Sequence, residues 1–220
     1  MNVKLPAKKF VASFDVDAQN TFTPVCPDEL PVNEGDQIVS ELNWQAEFAS
    51  VRVASRDAHS MSAVWLASEE NPQYSLVNGH PNADIHWAAH AIVGTKGFAF
   101  IDGLDEKDYD FQVYKGIQPD MHPYGACYHD LANTLSTGVI EYLKQKGITT
   151  VIVGGLATDY CVKNTVLQLL EAKFDVILNL GASRGISVDT TQQAISEMQG
   201  KGAVIINSAS ELSQLFTEKN

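Results

Sequence analysis

Cysteine is scarce in this chain, and its scarcity already excludes one class of protein. Only Cys26, Cys127 and Cys161 occur among 220 residues. Three widely spaced thiols cannot form the paired framework of a disulfide-stapled secreted domain, so a reducing compartment is expected. Basic charge is also short: 15 Lys and Arg stand against 27 Asp and Glu, a formal net charge of −12. That balance argues against nucleic acid and membrane surfaces as partners, because binding phosphate requires positive charge. No apolar run reaches the ~18 residues that a membrane span needs. Three lysines lie between Met1 and Phe10, but Asp15 and Asp17 interrupt the next apolar stretch, so no signal peptide is expected. Repeats and low-complexity tracts are missing. The expectation is one cytoplasmic domain over residues 1–220, since single cores grow to about 250 residues. Assembly into a homo-oligomer is left open.

What is present is an alternation of short strands and amphipathic helices. Strands are expected at 10–17, 51–55, 110–116, 151–153, 174–179 and 203–206, where β-branched and other apolar residues run nearly unbroken. Helical spacing of apolar residues predicts helices over 34–48, 134–146, 158–170, 189–198 and 208–216, the last capped by Ser208 or Ser210. Residues 60–93 are rich in breakers and read as a long loop, a feature that in a compact domain is usually functional or disordered. The alternation fixes the class as α/β: three α/β/α layers around a mostly parallel central sheet, Rossmann-like.

Chemistry collects where the strands end. The chain is organised around the stretch 151–165, in which Gly154 and Gly155 are expected to break a buried strand and Thr158 or Asp159 to cap the next helix. Cys161 then falls at a helix N-terminus, where the dipole favours a thiolate and free N–H groups can hold an oxyanion. Taken alone, it reads equally well as a small buried apolar residue. Asp17 comes after the first strand, in the crevice where open parallel sheets bind ligands, and an acid there can act as a base. Asp57 and His59 come after the second strand and share a face if the chain stays extended. They make two-thirds of a His₂-carboxylate metal site. His90 is favoured as the third ligand, with His86 competing. Lys115 ends the third strand and, if it faces the crevice, lowers the pKa of a nearby thiol. Cys127 reads as packing, and His122 and His129 as either surface groups or pocket lining.

These motifs, in this order, resemble those of nicotinamidases, members of the isochorismatase-like cysteine hydrolases. The stretches that carry the resemblance are Asp17-Ala-Gln-Asn-Thr-Phe22, Asp57-Ala-His59, Trp87-Ala-Ala-His90, Lys115-Gly116 and Ala157-Thr-Asp-Tyr-Cys161-Val162. The resemblance runs from about Phe10 to the last strand. It implies hydrolysis of nicotinamide, and of pyrazinamide, through a thioester. Cys161 would be the nucleophile, Asp17 its base, and Lys115 the cation that holds the thiolate and orients Asp17. A cis bond is implied at Leu156-Ala157, and the N–H groups of Ala157 and Cys161 would form the oxyanion hole. Asp57, His59 and His90 would hold one zinc, iron or manganese ion that takes the pyridine nitrogen, and Phe22 and Trp87 would sandwich the ring. Ala88 and Ala91 stand where the family usually has Pro and Cys, the Met121-His122-Pro123-Tyr124 stretch is unusual for it, and Glu69 or Glu70 offers a further ligand. Two alternatives remain: a related cysteine amidohydrolase acting on another small amide, and a non-catalytic binding member.

Overall fold

The computed structural model describes residues 5–215. Six strands, β1 (Val11–Val16), β2 (Val51–Asp57), β3 (Phe111–Lys115), β4 (Thr150–Leu156), β5 (Asp175–Arg184) and β6 (Val204–Ile206), form one sheet in the order β3-β2-β1-β4-β5-β6. Every pairing is parallel. Alternate residues of a strand face opposite sides. Phe14, Val53, Val151, Val153 and Leu178 accordingly pack with α2 (Val139–Gln145), α3 (Lys163–Glu171) and α4 (Val188–Gly200). Val11, Ile152 and Ile177 pack beneath the opposite layer with Leu212, where Ile38 and Leu42 of α1 (Val39–Ala46) and its 3₁₀ lead-in also lie. Burial on both faces explains the near-continuous apolar strands, and the three-layer expectation holds.

Four expectations about elements need correction. Gly154 and Gly155 do not end the strand; β4 runs on to Leu156 with a register shift against β5 between Val153 and Gly155. Gly155 adopts φ 134°, and a Cβ there would collide with the Val16 carbonyl, so the pair admits close backbone approach rather than a break. The helix expected from Thr134 starts only at Val139. Asp130 captures the N–H groups of Thr134 and Leu135, and Gly138 sits at φ 87°. The strand expected to end at 179 runs on to Arg184 as β5. The helix expected over 208–216 is a 3₁₀ turn, capped by Ser208, followed by α5 (Leu212–Leu215); Phe216 lies outside the described residues.

Candidate active site

β1 and β4 are neighbours, and the chain builds outward from them in opposite directions, so the crevice between their carboxyl ends is a topological switch point. β1, β2, β3 and β4 deliver Asp17, Asp57, Lys115 and Ala157 to that edge. Asp17 takes φ 45°, a left-handed conformation uncommon for residues other than glycine. That turn separates it from Asp15, which stays buried in the sheet on Arg52 (2.6 Å) and the Tyr109 hydroxyl (2.9 Å) and takes no part in the site. Asp17 is pinned in place by the neighbouring strand: its N–H donates to the Ser55 carbonyl, and the Ser55 hydroxyl donates to Asp17 Oδ1 at 2.6 Å. No sequence signal marked Ser55; its role comes from pairing Val16 with Ser55 in register.

Cys161 lies in a single π turn, Thr158–Val162, that joins β4 to α3. Such turns are rare and concentrate at functional sites. The Leu156-Ala157 peptide is cis. Neither proposed cap acts there. Asp159 reaches across to α4, accepting from Ile186 N–H (3.0 Å) and the Thr190 hydroxyl. The Ala157 carbonyl accepts from the N–H groups of both Tyr160 and Val162, which fixes the turn that presents the sulfur.

Lys115 is fully buried and is the hub of the constellation. Its Nζ donates to Asp57 Oδ1, to the Pro123 carbonyl at 3.3 Å and to Cys161 Sγ at 3.6 Å. Asp17 Oδ2 lies 2.9 Å from Nζ as an ion pair but makes no hydrogen bond of its own. The Asp17, Asp57 and Cys161 donor atoms all fall within 4.8 Å of one another. Asp17 Oδ2 therefore faces the sulfur with Lys115 as its one polar neighbour among the contacts described. Burial lowers the affinity of a lysine for its proton, but the two carboxylates and the sulfur outweigh this and hold Lys115 well above its ordinary range.

The helix terminus favours a thiolate at Cys161, but its surroundings act in the other direction. Burial first, then the Asp17 and Asp57 carboxylates, push the Cys161 thiol well above its usual range, against the pull of Lys115. Burial likewise raises Asp17, opposed by Lys115 and reinforced by Asp57. The site thus sets a thiol with a raised proton affinity beside the Asp17 carboxyl and a buried lysine.

Beside this triad lies a second cluster. Nδ1 of His59 contacts the Gly116 carbonyl at 3.0 Å, and Nδ1 of His90 contacts the Ala88 carbonyl at 2.7 Å. A carbonyl only accepts, so both Nδ1 atoms carry the proton and both Nε2 atoms are left as lone-pair donors. His59 Nε2 has no partner; it lies 3.5 Å from Asp57 Oδ1, and His90 Nε2 lies 3.9 Å from Asp57 Oδ2. Burial, and the neighbouring His59, push His90 down to about 3, which keeps it neutral as metal ligation requires. The Asp57, His59 and His90 set fits a divalent ion. Gly116 is held at φ 68°, and any Cβ there would strike the His59 ring. The His90 loop is tied to its partner by His59 N–H to the Ala91 carbonyl (3.0 Å) and Val93 N–H to the His59 carbonyl (3.1 Å).

The competing ligands fall away. His86 contacts the Leu66 carbonyl at 3.3 Å and is not in the cluster, while Glu69 and Glu70 are exposed. His122, left open by sequence, is buried and does join His59 and His90. The signal that could have found it is position, since it lies seven residues after Lys115, beyond the same edge of the sheet. A cleft of about 300 Å³, counting its open mouth, connects the two clusters. Phe22, Trp87, His90, His122, Tyr160 and Cys161 are among its walls. Phe22 and Trp87 thus both face the space where a small planar ring would lie.

Comparison with known proteins finds relatives over most of the chain. A model of the isochorismatase domain matches residues 14–210. A nicotinamidase of Escherichia coli (strain K12) is 30% identical over 199 residues, covering 86% of this chain and 91% of its own. The structure of a nicotinamidase–pyrazinamidase of Acinetobacter baumanii superposes with a TM-score of 0.84 at 29% identity, covering 95% of this chain and all of the other. A Pyrococcus horikoshii pyrazinamidase, solved in complex with zinc, does so with a TM-score of 0.71 at 28% identity, covering 90% and 98%.

Proposed function

As the chain belongs to the isochorismatase domain family, we propose that it hydrolyses nicotinamide to nicotinate and ammonia, and pyrazinamide likewise, through a thioester on Cys161. One observation carries this reading: Asp17, Lys115 and Cys161 meet at one end of a cleft walled by Phe22 and Trp87. A carboxamide is a poor electrophile with a poor leaving group, so it demands a strong nucleophile, an oxyanion site and a proton for the departing amine.

Each demand has a residue. Asp17 Oδ2 takes the thiol proton as Sγ attacks the carboxamide carbon, and Lys115 balances the charge on both. The oxyanion forms against the N–H groups of Ala157 and Cys161. Asp17 returns the proton to nitrogen as the C–N bond breaks and ammonia leaves. It then takes a proton from the water that cleaves the thioester, releasing nicotinate and the thiol. Phe22 and Trp87 hold the ring. Asp57, His59 and His90 would hold a zinc, iron or manganese ion, which supplies a Lewis acid for the pyridine nitrogen. We read residues 1–220 as one catalytic domain in a reducing cytoplasm, consistent with three unpaired cysteines, its product feeding pyridine nucleotide salvage. Among the described residues no helix is long and apolar enough to cross a membrane.

Ammonia release from nicotinamide tests the reading. Cys161→Ala is expected to lose about 10⁴-fold or more in kcat, and undiminished turnover would end the proposal. His122 and Tyr124 on the cleft wall favour one second reading, a preference for a different small amide. Turnover of other amides with none of nicotinamide would establish it.

A further inference from the structure

Of the two imidazoles that line the cleft, His90 and His122, His122 is the one the proposed reaction gives no role. It is 4% exposed, and neither ring nitrogen has a hydrogen-bond partner among the described residues. Its ring lies 5.2 Å from that of His59 at 23° and 5.6 Å from that of His90. One donor atom from each of the three rings falls within 4.8 Å of the others. Nitrogens bound to a common zinc at about 2.0–2.1 Å sit roughly 3–4 Å apart, so closure asks the donor atoms to approach by at most about 1–2 Å.

The backbone of His122 is built into the site rather than hung at its edge. Its N–H donates to the Asn82 carbonyl at 2.6 Å, and Trp65 Nε1 donates to the adjacent Met121 carbonyl at 3.1 Å. Trp65 and Tyr124 flank the ring edge-on, at 4.4 and 5.2 Å. These contacts hold an unpaired, buried imidazole against the rings of His59 and His90. Buried polar nitrogens are normally paired, and neither nitrogen of His122 is, which leaves a lone pair available to an ion.

We propose that His122 is a third imidazole ligand of the divalent ion, making the set Asp57, His59, His90 and His122. The inference rests on the metal-dependent reading of the site and narrows it. Three imidazoles and one carboxylate suit zinc or iron better than manganese, which prefers oxygen donors. His122 also walls the cleft, so the ion and the ring of the substrate share it as a neighbour.

X-ray absorption at the zinc edge of the wild-type protein, stripped and reloaded with one equivalent of Zn²⁺, counts the imidazoles without any substitution. Three are expected, and two would overturn the inference while leaving the metal-dependent reading intact. His122→Phe keeps the ring volume and removes both donors, and His122→Gln is the polar control; circular dichroism checks the fold of each. Zinc affinity, measured by competition with a chromophoric chelator, is expected to fall about 100-fold or more in the Phe variant. The Co²⁺ absorption bands are expected to shift. Unchanged affinity and superimposable Co²⁺ spectra in the folded variants would also overturn it. A wild-type protein that takes up no zinc would sink this inference and the metal-dependent reading together, whereas ammonia release independently decides the thioester chemistry.

Discussion

At the scale of single residues, the proposed reaction turns on one carboxylate oxygen. Asp17 Oδ1 is committed to the Ser55 hydroxyl, so in the proposed reaction Oδ2, paired with Lys115, takes and returns the proton beside Cys161. Ser55 is therefore a positioning residue. Ser55→Ala is expected to lower kcat for nicotinamide about 10- to 100-fold, the worth of a hydrogen bond to a charged group. KM should change little, because Ser55 is fully buried and does not line the cleft. Steady-state kinetics check the split; a rise in KM at constant kcat would contradict it. Ser55 was invisible in the sequence, since serine within a strand carries no signal until the pairing register is known. Asp17, Lys115 and Cys161 were legible because each sits just past or at the end of a recognisable strand. The charge state of Cys161 was not legible, because it depends on burial and on two carboxylates brought from other strands.

At the scale of elements, local side chains decide where helices and turns begin. Asp130 is the clearest case. Its carboxylate accepts from the N–H and hydroxyl of Thr134 and from the N–H of Leu135. Although burial opposes the charge, these donors hold its carboxyl below the usual carboxylate value of 3.8. The folded state thus binds fewer protons than the unfolded state near that pH. The contribution is complete above the unfolded value and is lost as pH falls through the lower, folded one. Asp130→Asn is expected to cost about 1–2 kcal/mol near neutral pH. The gap from wild type should stay constant above about pH 5 and narrow toward acid, as urea unfolding across pH will measure. Periodicity placed this helix start at Thr134 because 134–138 has no strong breaker before Gly138. Asp130, four residues upstream, overrode the pattern through hydrogen bonds that only the folded turn displays.

At the scale of the whole molecule, the all-parallel sheet gathers residues from four strand ends at one switch point, and metal binding should therefore stabilise the whole fold. The proposed ligands come from the end of β2, from the long loop after it and, with His122 included, from the loop after β3. The unfolded chain holds no such site. Zinc at about 100 times its dissociation constant is expected to add about 2.7 kcal/mol. For a domain of this size that raises Tm by roughly 5–10 °C. Differential scanning calorimetry with and without chelator checks this, and an unchanged Tm would count against the metal site. The same readout with Gly116→Ala is expected to show a weaker response to zinc, because the added Cβ displaces the His59 ring.

The sequence by itself determined the α/β class, the approximate strand and helix positions, and the residue types waiting beyond the strand ends. Apolar periodicity and turn chemistry act over a few residues and can be read in one dimension. Only the tertiary structure decided which atoms meet: that Lys115 is shared by two carboxylates and a sulfur, that Asp17 turns away from Asp15, and that His122 rather than Glu69 or Glu70 faces His59 and His90. Those outcomes depend on strand register, on loops crossing in space and on the loss of water around charges, none of which a local pattern encodes.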